Sequence, residues 1–473
     1  MPSISTDSAG ADGVKSGLIF ALLAAVSFQI AFEIPALNFL VLLYSFSLVT
    51  LSNGHSLRVA FRLGFLSGLL VAAPQFAWFW HIFGFASVCL WAVLSFFTGL
   101  FVLAVHCWRS RFGSKCIWLA VPVFWTGLEY FRSELYFLRF SWLSTGYVFS
   151  GHSGILPVGA LGVYGFGFIV FLIAGSAFQL NKKRGLLWLL TASALIAGLT
   201  SIPKLETTQL QPTKKLRIAG IQLEFPPELK VASYLDQLVS TFPDAEVLVL
   251  SEYTFDGPVP KRVRAWCREH GKYLIAGGRA QAERAGQFYN TAFVVGTNGD
   301  VVFQQVKSVP IQFFKDGLPA PRQEVWESPW GKIAMCVCYD LSYRRVMDRF
   351  MRKGAQALIV PFMDVAGWGE HQHALHARVG PMRALEYHIP IFRLGSSGIS
   401  QVIDRQGQIL ASEPYPGQER MIAGTLELAA KARVPLDSLL APTCSIGVAL
   451  FFVWMAAEAL FRKRRSETLS KAA

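Results

Sequence analysis

Apolar residues are concentrated in two parts of the chain. Between residues 17 and 202, long apolar runs follow one another with short polar connections, and one further run occupies residues 442–461. A helix of about 20 apolar residues spans the hydrocarbon core of a bilayer, so each run predicts a transmembrane helix. The predicted spans are 17–33, 36–52, 59–80, 86–107, 116–132, 155–180, 185–202 and 442–461.

Residues 215–440 have a different pattern, in which strand-type runs and helical periodicity follow one another. Strands are predicted at 216–223, 246–250, 273–277, 288–296, 301–307, 332–338, 357–361, 391–394 and 400–403. Helices are predicted at 229–241, 261–270, 342–353 and 370–387. The turn sequence Thr-Asn-Gly-Asp at 297–300 indicates a hairpin between two of the strands. Such a mixture predicts an α/β domain with a layered sheet core.

These patterns divide the chain into parts with different roles. A membrane domain of about seven helices occupies residues 1–202, and a polar linker occupies 203–214. The α/β domain follows at 215–440, a C-terminal transmembrane helix at 441–462 and a basic tail at 463–473.

The chain is basic, with a formal net charge of +13. Such a charge can indicate nucleic-acid binding, but the positions of the basic residues favour a membrane explanation, because Lys and Arg cluster in alternate connections between the apolar runs. The connections near 33–35 and 81–85 contain neither residue. By the positive-inside rule both termini are cytoplasmic and the α/β domain is outside. A cleaved signal peptide in place of the first span would spoil this alternation.

Three cysteines fall in the predicted outer domain, namely Cys267, Cys336 and Cys338. An odd number does not make a disulfide framework. The sequence therefore predicts free thiols in this domain, including Cys338.

Three chemically distinct side chains each stand at the end of an apolar run. Glu252 follows the run 248–250, Lys307 follows 301–306 and Cys338 follows 333–337. Taken singly they predict a surface carboxylate, a solvated ammonium and a buried core thiol. Together they provide a general base, an oxyanion stabiliser and a nucleophile, which are the three groups that acyl-transfer catalysis uses.

In order and spacing this trio resembles the Glu-Lys-Cys triad of the nitrilase superfamily. With its predicted spans, the whole chain resembles the apolipoprotein N-acyltransferases of that superfamily. Stretches outside the triad add to the resemblance, namely 125–132, 142–147, 363–369, 382–386 and 397–399. Here Ser251 stands where the family has Pro before its Glu, and Asp340, as in soluble relatives, stands where the acyltransferases typically have Glu. Asp316 is the nearest carboxylate after Lys307.

The resemblance implies an α-β-β-α nitrilase-like sandwich attached to an α-helical membrane domain. It implies that Glu252 is the general base, Lys307 the oxyanion stabiliser and Cys338 the nucleophile, with Tyr339 and Asp340 in support. The acyl donor would be a phospholipid and the acceptor a diacylglyceryl-cysteine lipoprotein. The protein would be a monomer in the bacterial inner membrane, with its catalytic domain facing the periplasm and no nucleic acid as partner.

Some aromatic and charged residues are candidates for contact with substrate or lipid. We expect Phe313, Phe314 and Trp368 to lie in loops at the bilayer surface, and Glu129 and Arg132 to pair near a span end or to contact a headgroup. The histidines at 371, 373 and 376 lack the His-Glu-x-x-His pattern of a metal site. No metal and no cofactor are predicted.

Two other functions remain open from the sequence. The first is a membrane-tethered amidohydrolase of nitrilase type, in which water resolves the thioester, and Asp340 favours it. The second is a transporter or scaffold with an inactive outer domain. The predicted spans lack the relay of intramembrane ionisable residues that a transporter needs, and an intact trio disfavours an inactive domain.

Overall fold

The computed structural model describes residues 6–53, 56–150, 158–180, 182–201, 214–428 and 432–472. The described α-helices are α1 Thr6–Glu33, α2 Val41–Thr50, α3 Leu57–Gln75, α4 Phe79–Phe83, α5 Ala86–Phe112, α6 Ile117–Tyr130, α7 Val158–Gln179, α8 Lys182–Ser201, α9 Val231–Thr241, α10 Lys261–His270, α11 Arg344–Arg352, α12 Glu370–Ala377, α13 Val379–Tyr387 and α14 Asp437–Ala472. The predicted linker at 203–214 lies, apart from Lys214, outside the described residues.

Among these residues, five helices are long and apolar enough to cross a membrane. They are Gly13–Glu33, Leu57–Gln75, Ala86–Phe112, Gly159–Gln179 and Asp437–Arg462. The segment Pro35–Thr50 is a shorter apolar helix, and the remaining predicted spans correspond to α6 and α8. Each predicted span therefore coincides with a helix, while the number of crossings remains a prediction.

A close helix contact fixes the C-terminal helix against the N-terminal bundle. A Cβ atom placed on Gly127 of α6 would lie 2.5 Å from the carbonyl oxygen of Cys444 on α14. The carbonyl of Gly127 also accepts a hydrogen bond of 2.6 Å from Ser445 Oγ. Because only glycine permits this approach, α14 packs directly on α6 although more than 300 residues separate them.

The α/β domain consists of two sheets with helices outside them. Its strands are β1 Lys215–Ile221, β2 Val247–Val249, β3 Tyr273–Gln281, β4 Phe288–Val295, β5 Val301–Val306, β6 Val325–Ser328, β7 Gly331–Met335, β8 Ala357–Phe362, β9 Ile391–Gly395, β10 Ser400–Ile403, β11 Ile409–Glu413 and β12 Met421–Glu427. In the described chain the sheet orders are β12-β1-β2-β3-β4-β5 and β11-β10-β9-β8-β7-β6. The inner strands β1-β2-β3 and β7-β8-β9 pair in parallel. This is the predicted layered α-β-β-α sandwich, and the predicted fold class is confirmed.

The predicted strand 332–338 is too long. Strand β7 ends at Met335, and Cys338 begins a 3₁₀ turn, Cys338–Ser342. The backbone of Cys338 has φ +51°, a left-handed conformation that no strand residue adopts. Cys336 and Cys338 therefore do not share a strand face.

The predicted helix 370–387 is two helices, α12 and α13. The two helices meet at Arg378, and Pro381 has no N–H to donate to the carbonyl of Ala377, which removes a hydrogen bond across this junction. Strands β6, β11 and β12 were not predicted, because each has polar or exposed residues that weaken its apolar pattern.

Candidate active site

Glu252, Lys307 and Cys338 converge in one buried site between the two sheets. Glu252 lies three residues after β2, Lys307 directly follows β5, and Cys338 lies three residues after β7. The three side chains are at most 3% exposed. Strand ends from both sheets therefore supply the groups whose roles were inferred from the sequence.

The Lys307 ammonium is held between two carboxylates. Its Nζ lies 2.9 Å from Glu252 Oε1 and 2.8 Å from Asp316 Oδ2. Burial disfavours its charge, but the carboxylates of Asp316 and Glu252 and the nearby Cys338 outweigh that effect and raise its pKa well above the ordinary value. Lys307 is therefore a cation, and one of its three N–H groups remains for a further acceptor.

Asn290 joins the two carboxylates and was not found from the sequence. Its Nδ2 donates to Glu252 Oε1 at 2.6 Å and to Asp316 Oδ1 at 2.8 Å. Asp316 also accepts from the Tyr253 hydroxyl and from the backbone N–H of Ile311, both at 2.8 Å. The sequence does not predict the contacts of Asn290 with Glu252 and Asp316, because Asn290 lies on β4 and Asp316 in an irregular loop.

Glu252 is oriented by its second oxygen and by a tight backbone contact. Oε2 accepts from the backbone N–H of Met363 at 2.8 Å. A Cβ atom on Gly277 of β3 would lie 2.5 Å from the Glu252 Cα, so this strand must carry glycine there. Burial raises the pKa of Glu252, while Lys307 opposes the rise. The carboxylate therefore binds a proton more readily than an exposed glutamate does.

Cys338 stands on a strained turn beside these groups. Its Sγ lies 3.9 Å from the carbonyl oxygen of Met363, the residue whose N–H binds Glu252. Burial raises the pKa of the Cys338 thiol, the Glu252 charge raises it further, and Lys307 partly opposes them. The resting side chain is a thiol, so attack by sulfur needs a base at the moment of reaction.

Asp340 and Tyr339 support the turn. The Asp340 carboxylate accepts the backbone N–H groups of Ser308 and Val309, at 2.9 and 2.7 Å, and so connects the loop after Lys307 to the turn that carries Cys338. Burial raises the pKa of Asp340 to about 7. The Tyr339 hydroxyl donates to the carbonyl of Arg139 at 3.2 Å, in the membrane domain.

Cys338 opens into an apolar cavity of about 830 Å³, its open mouth included. Phe313, Phe314 and Trp368 line it as well, together with membrane-domain residues. Those residues include Trp78, Phe79, Leu90, Leu94, Phe140 and Trp142. The cavity is thus shared by both domains.

Glu129 and Arg132 do not line this cavity. The Glu129 carboxylate accepts from the backbone N–H and the hydroxyl of Thr145, both at 2.8 Å. Arg132 is buried beside a second, smaller cavity of the membrane domain. Their contact with a lipid headgroup remains a prediction without structural support.

An Asp-His pair on the cavity wall was also missed. Asp364 Oδ2 lies 2.8 Å from His376 Nδ1, and both residues line the cavity with Cys338. The sequence places the two residues twelve positions apart, Asp364 before the predicted helix 370–387 and His376 within it. Only their packing brings them together.

Taken together, the site holds a buried thiol, a base, a fixed cation and an apolar chamber. Such a set can form and resolve an acyl-thioester on an apolar acyl group.

Comparison with known proteins gives two matching families. The model of the carbon-nitrogen hydrolases matches residues 176–433, and that of the apolipoprotein N-acyltransferase N-terminal domain matches residues 20–176. An apolipoprotein N-acyltransferase of Shewanella oneidensis is 26% identical over 389 residues, covering 70% of this chain and 73% of its own. That of Geobacter metallireducens is 24% identical over 470 residues, covering 87% and 89%. A solved structure, the nitrilase-superfamily protein Nit3 of Saccharomyces cerevisiae, is 18% identical with a TM-score of 0.40 and covers 46% of this chain and 93% of its own.

Proposed function

The chain belongs to the carbon-nitrogen hydrolase family, whose model covers more than half of it, and it carries the N-terminal domain of apolipoprotein N-acyltransferases. On that premise we propose that it transfers an acyl chain from a phospholipid, through a thioester on Cys338, to the N-terminal amine of a diacylglyceryl-cysteine lipoprotein. The observation that carries the proposal is the apolar cavity that connects Cys338 with the membrane helices.

The membrane helices have a physical reason under this proposal. Moving each acyl CH₂ from the bilayer into water costs about 0.8 kcal/mol. A two-chain lipid therefore cannot reach the enzyme through water. A cavity walled by α4, α5 and the loop residues 138–142 on one side and by the α/β domain on the other lets the acyl chain stay in an apolar medium.

The first half-reaction forms the thioester. Glu252 takes the thiol proton of Cys338 while the sulfur attacks the ester carbonyl of the phospholipid. Lys307 directs its remaining N–H at the oxyanion, and a single such donor contributes about 3–4 kcal/mol in comparable sites. The alkoxide leaves as lysophospholipid after taking the proton from Glu252.

The second half-reaction resolves the thioester. The acceptor amine attacks the carbonyl carbon, the C–S bond breaks, and the sulfur is reprotonated through Glu252. The reaction is therefore of the ping-pong type, because the Cys338 thioester must be resolved before the thiol can attack another phospholipid.

The α/β domain faces the periplasm from the bacterial inner membrane in this proposal. The support is the alternation of Lys and Arg between connections, with basic residues at 58–62, 109–115, 182–184 and 462–465. The same orientation places the cavity beside the outer leaflet. The protein acts as a monomer, because both half-reactions use one cavity of one chain.

Mass spectrometry of the intact protein tests the proposal. After incubation with phosphatidylethanolamine of a single acyl composition, we expect a mass increase of one acyl group at Cys338. Cys338→Ala should abolish it, whereas the matched variant Cys336→Ala, which removes the neighbouring buried thiol, should retain it. Addition of a diacylglyceryl peptide with a free amine should discharge the adduct, and the same peptide with an acetylated amine should not.

Two results would count against the transferase. The absence of any adduct in the unmodified protein excludes a Cys338 thioester. Discharge by water as fast as by the lipopeptide indicates the alternative, an amidohydrolase of nitrilase type, which the carbon-nitrogen hydrolase match favours.

A further inference from the structure

The Asp364-His376 pair is a titratable group that the mechanism above does not use. Both side chains are buried, with His376 1% and Asp364 2% exposed. The His376 ring is stacked against the Trp142 indole, with centroids 4.9 Å apart and planes at 9°, and the Phe362 ring meets its edge. The imidazole is therefore held in one orientation on the wall of the cavity that contains Cys338.

One nitrogen of His376 has no protein partner in the described part of the chain. Nδ1 is bonded to Asp364 Oδ2 at 2.8 Å, whereas Nε2 is buried and unpaired. A carboxylate at Nδ1 fixes the proton on that nitrogen and leaves the lone pair on Nε2. A buried acceptor without a partner costs free energy unless a ligand satisfies it.

The charged and titratable groups around His376 come from several elements. Asp364 lies in the loop after β8, His373 on the same helix, Arg393 on β9 and Cys338 on the 3₁₀ turn. Burial lowers the pKa of His376, the Asp364 charge opposes this, and Arg393 and His373 add to the lowering. His376 is accordingly a neutral imidazole that can accept a proton.

When the acceptor arrives as ammonium, the second half-reaction releases two protons, and Glu252 carries only one of them to the sulfur of Cys338. A lipoprotein α-amine arrives mainly as ammonium at neutral pH, because its ordinary pKa is about 7.7–8.0. One ammonium proton must leave before the nitrogen lone pair can attack. Another leaves when the amide forms, and Glu252 returns that one to the sulfur of Cys338. A second proton acceptor in the site would therefore speed this step near neutral pH.

We propose that His376 is a second catalytic base, whose Nε2 takes the first proton from the acceptor's ammonium group while Asp364 holds its imidazole in place. This inference deepens the proposed function and rests on it. The freed lone pair attacks the thioester carbonyl, the N–C bond forms and the C–S bond breaks. His376 then passes its proton to water at the cavity mouth, and Asp364 acts as a positioning residue.

Separated half-reactions test this assignment. We expect His376→Gln to form the Cys338 adduct at close to the unmodified rate, because Glu252 alone serves that step. At pH 7 the diacylglyceryl peptide should discharge this adduct about tenfold more slowly in His376→Gln than in the unmodified protein, since roughly nine-tenths of the peptide's α-amine is protonated there. The deficit should close as the pH rises to about 9, where the amine deprotonates in water.

A second nucleophile separates proton removal from packing. Hydroxylamine is neutral at pH 7, so its discharge of the adduct should be unchanged in His376→Gln. Asp364→Asn should show the same selective loss in weaker form. The matched control is His371→Gln, which replaces a half-buried histidine of α12 that does not line the cavity and should discharge with both nucleophiles normally.

Each outcome decides between the two levels of the proposal. Failure of the unmodified protein to form an adduct overturns the proposed function itself. If the unmodified protein forms the adduct normally, three results for His376→Gln show that His376 is not the second base. They are loss of adduct formation, equally slow discharge of the adduct by the lipopeptide and by hydroxylamine, and discharge by the lipopeptide at the unmodified rate.

Discussion

The Cys338 thiol lies in a site that disfavours its ionised form. Burial and the charges of Glu252 and Asp364 raise its pKa, and Lys307 and the contact with the Met363 backbone only partly oppose them. Many reactive cysteines instead have a lowered pKa and exist partly as thiolate. Here the proton must move during attack, which makes the protonation state of Glu252 decisive for the rate.

The rate of Cys338 acylation should therefore fall on the acid side. In the proposed mechanism Glu252 acts as the carboxylate, and burial raises its pKa above the ordinary value of 4.5. As the pH drops through that raised pKa the base is lost, so the decline begins at higher pH than for an exposed glutamate. Single-turnover release of lysophospholipid between about pH 4 and about pH 8 measures this decline in the acylation rate. A midpoint of the decline at or below the ordinary pKa of glutamate contradicts the expectation.

Asp316 sets part of that pKa. Its charge raises the pKa of Glu252, so Asp316→Asn should move the acid decline to lower pH. Acylation should also slow by about 10- to 100-fold, because Lys307 loses one of the two carboxylates that position it. The exposed hairpin variant Asp300→Asn is the control and should change neither quantity. An acid-side decline at the same pH in Asp316→Asn would mean that the carboxylates of Asp316 and Glu252 do not interact.

The 3₁₀ turn Cys338–Ser342 is held by a loop of the membrane domain. Trp142 Nε1 donates to Ser342 Oγ at 2.8 Å, and Ser141 Oγ donates to the Ser342 carbonyl at 3.1 Å. From the other side, Arg383 donates to the carbonyls of Leu341 and Ser342 at 3.0 and 2.7 Å. The geometry of the nucleophile therefore depends on contact between the two domains.

Ser342→Ala should weaken this turn. It leaves the buried Trp142 N–H without its acceptor, which costs about 1–3 kcal/mol. Thermal unfolding in detergent should occur at lower temperature, and the Cys338 adduct should form more slowly. Ser240→Ala, which removes an exposed hydroxyl bonded within α9, is the control. Unchanged adduct formation in Ser342→Ala would show that the nucleophile does not need this contact.

Element positions were largely predictable, and their ends were not. The helices at 229–241 and 261–270 and the hairpin around 297–300 are confirmed, because local periodicity and turn residues specify them. The end of β7 and the break between α12 and α13 depend on the conformations of Cys338 and Pro381. Cys338 and the α12 residue His376 both line the cavity, so these two errors of prediction lie close to the candidate site.

Across the whole molecule, buried charged side chains join the membrane domain to the sandwich. Glu386 Oε1 accepts the backbone N–H of Val163 on α7 at 2.5 Å, while its Oε2 pairs with Arg383 Nη1 at 2.5 Å. Arg344 lies 3.5 Å from Asp437 at the start of α14. Burying such charges is unfavourable unless each is paired, so the docked arrangement is specific.

Glu386→Gln should therefore destabilise the docked protein strongly. Arg383 is fully buried and would lose its carboxylate, and breaking a buried pair costs about 3–5 kcal/mol. The matched control Glu327→Gln breaks the exposed pair with Lys332 and should cost about 1 kcal/mol or less. Thermal unfolding in one detergent compares the two, and equal shifts would contradict a stabilising role for the buried pair.

The sequence by itself determined the apolar segments, the alternation of strands and helices, and the trio Glu252, Lys307 and Cys338. These follow from local periodicity and from chemistry at the ends of apolar runs. Tertiary structure alone decided that Asn290 and Asp316 complete the Lys307 environment, that His376 faces the cavity, and that Glu129 does not. Such contacts join residues far apart in the chain, and their geometry is set by how the two sheets and the membrane helices pack together.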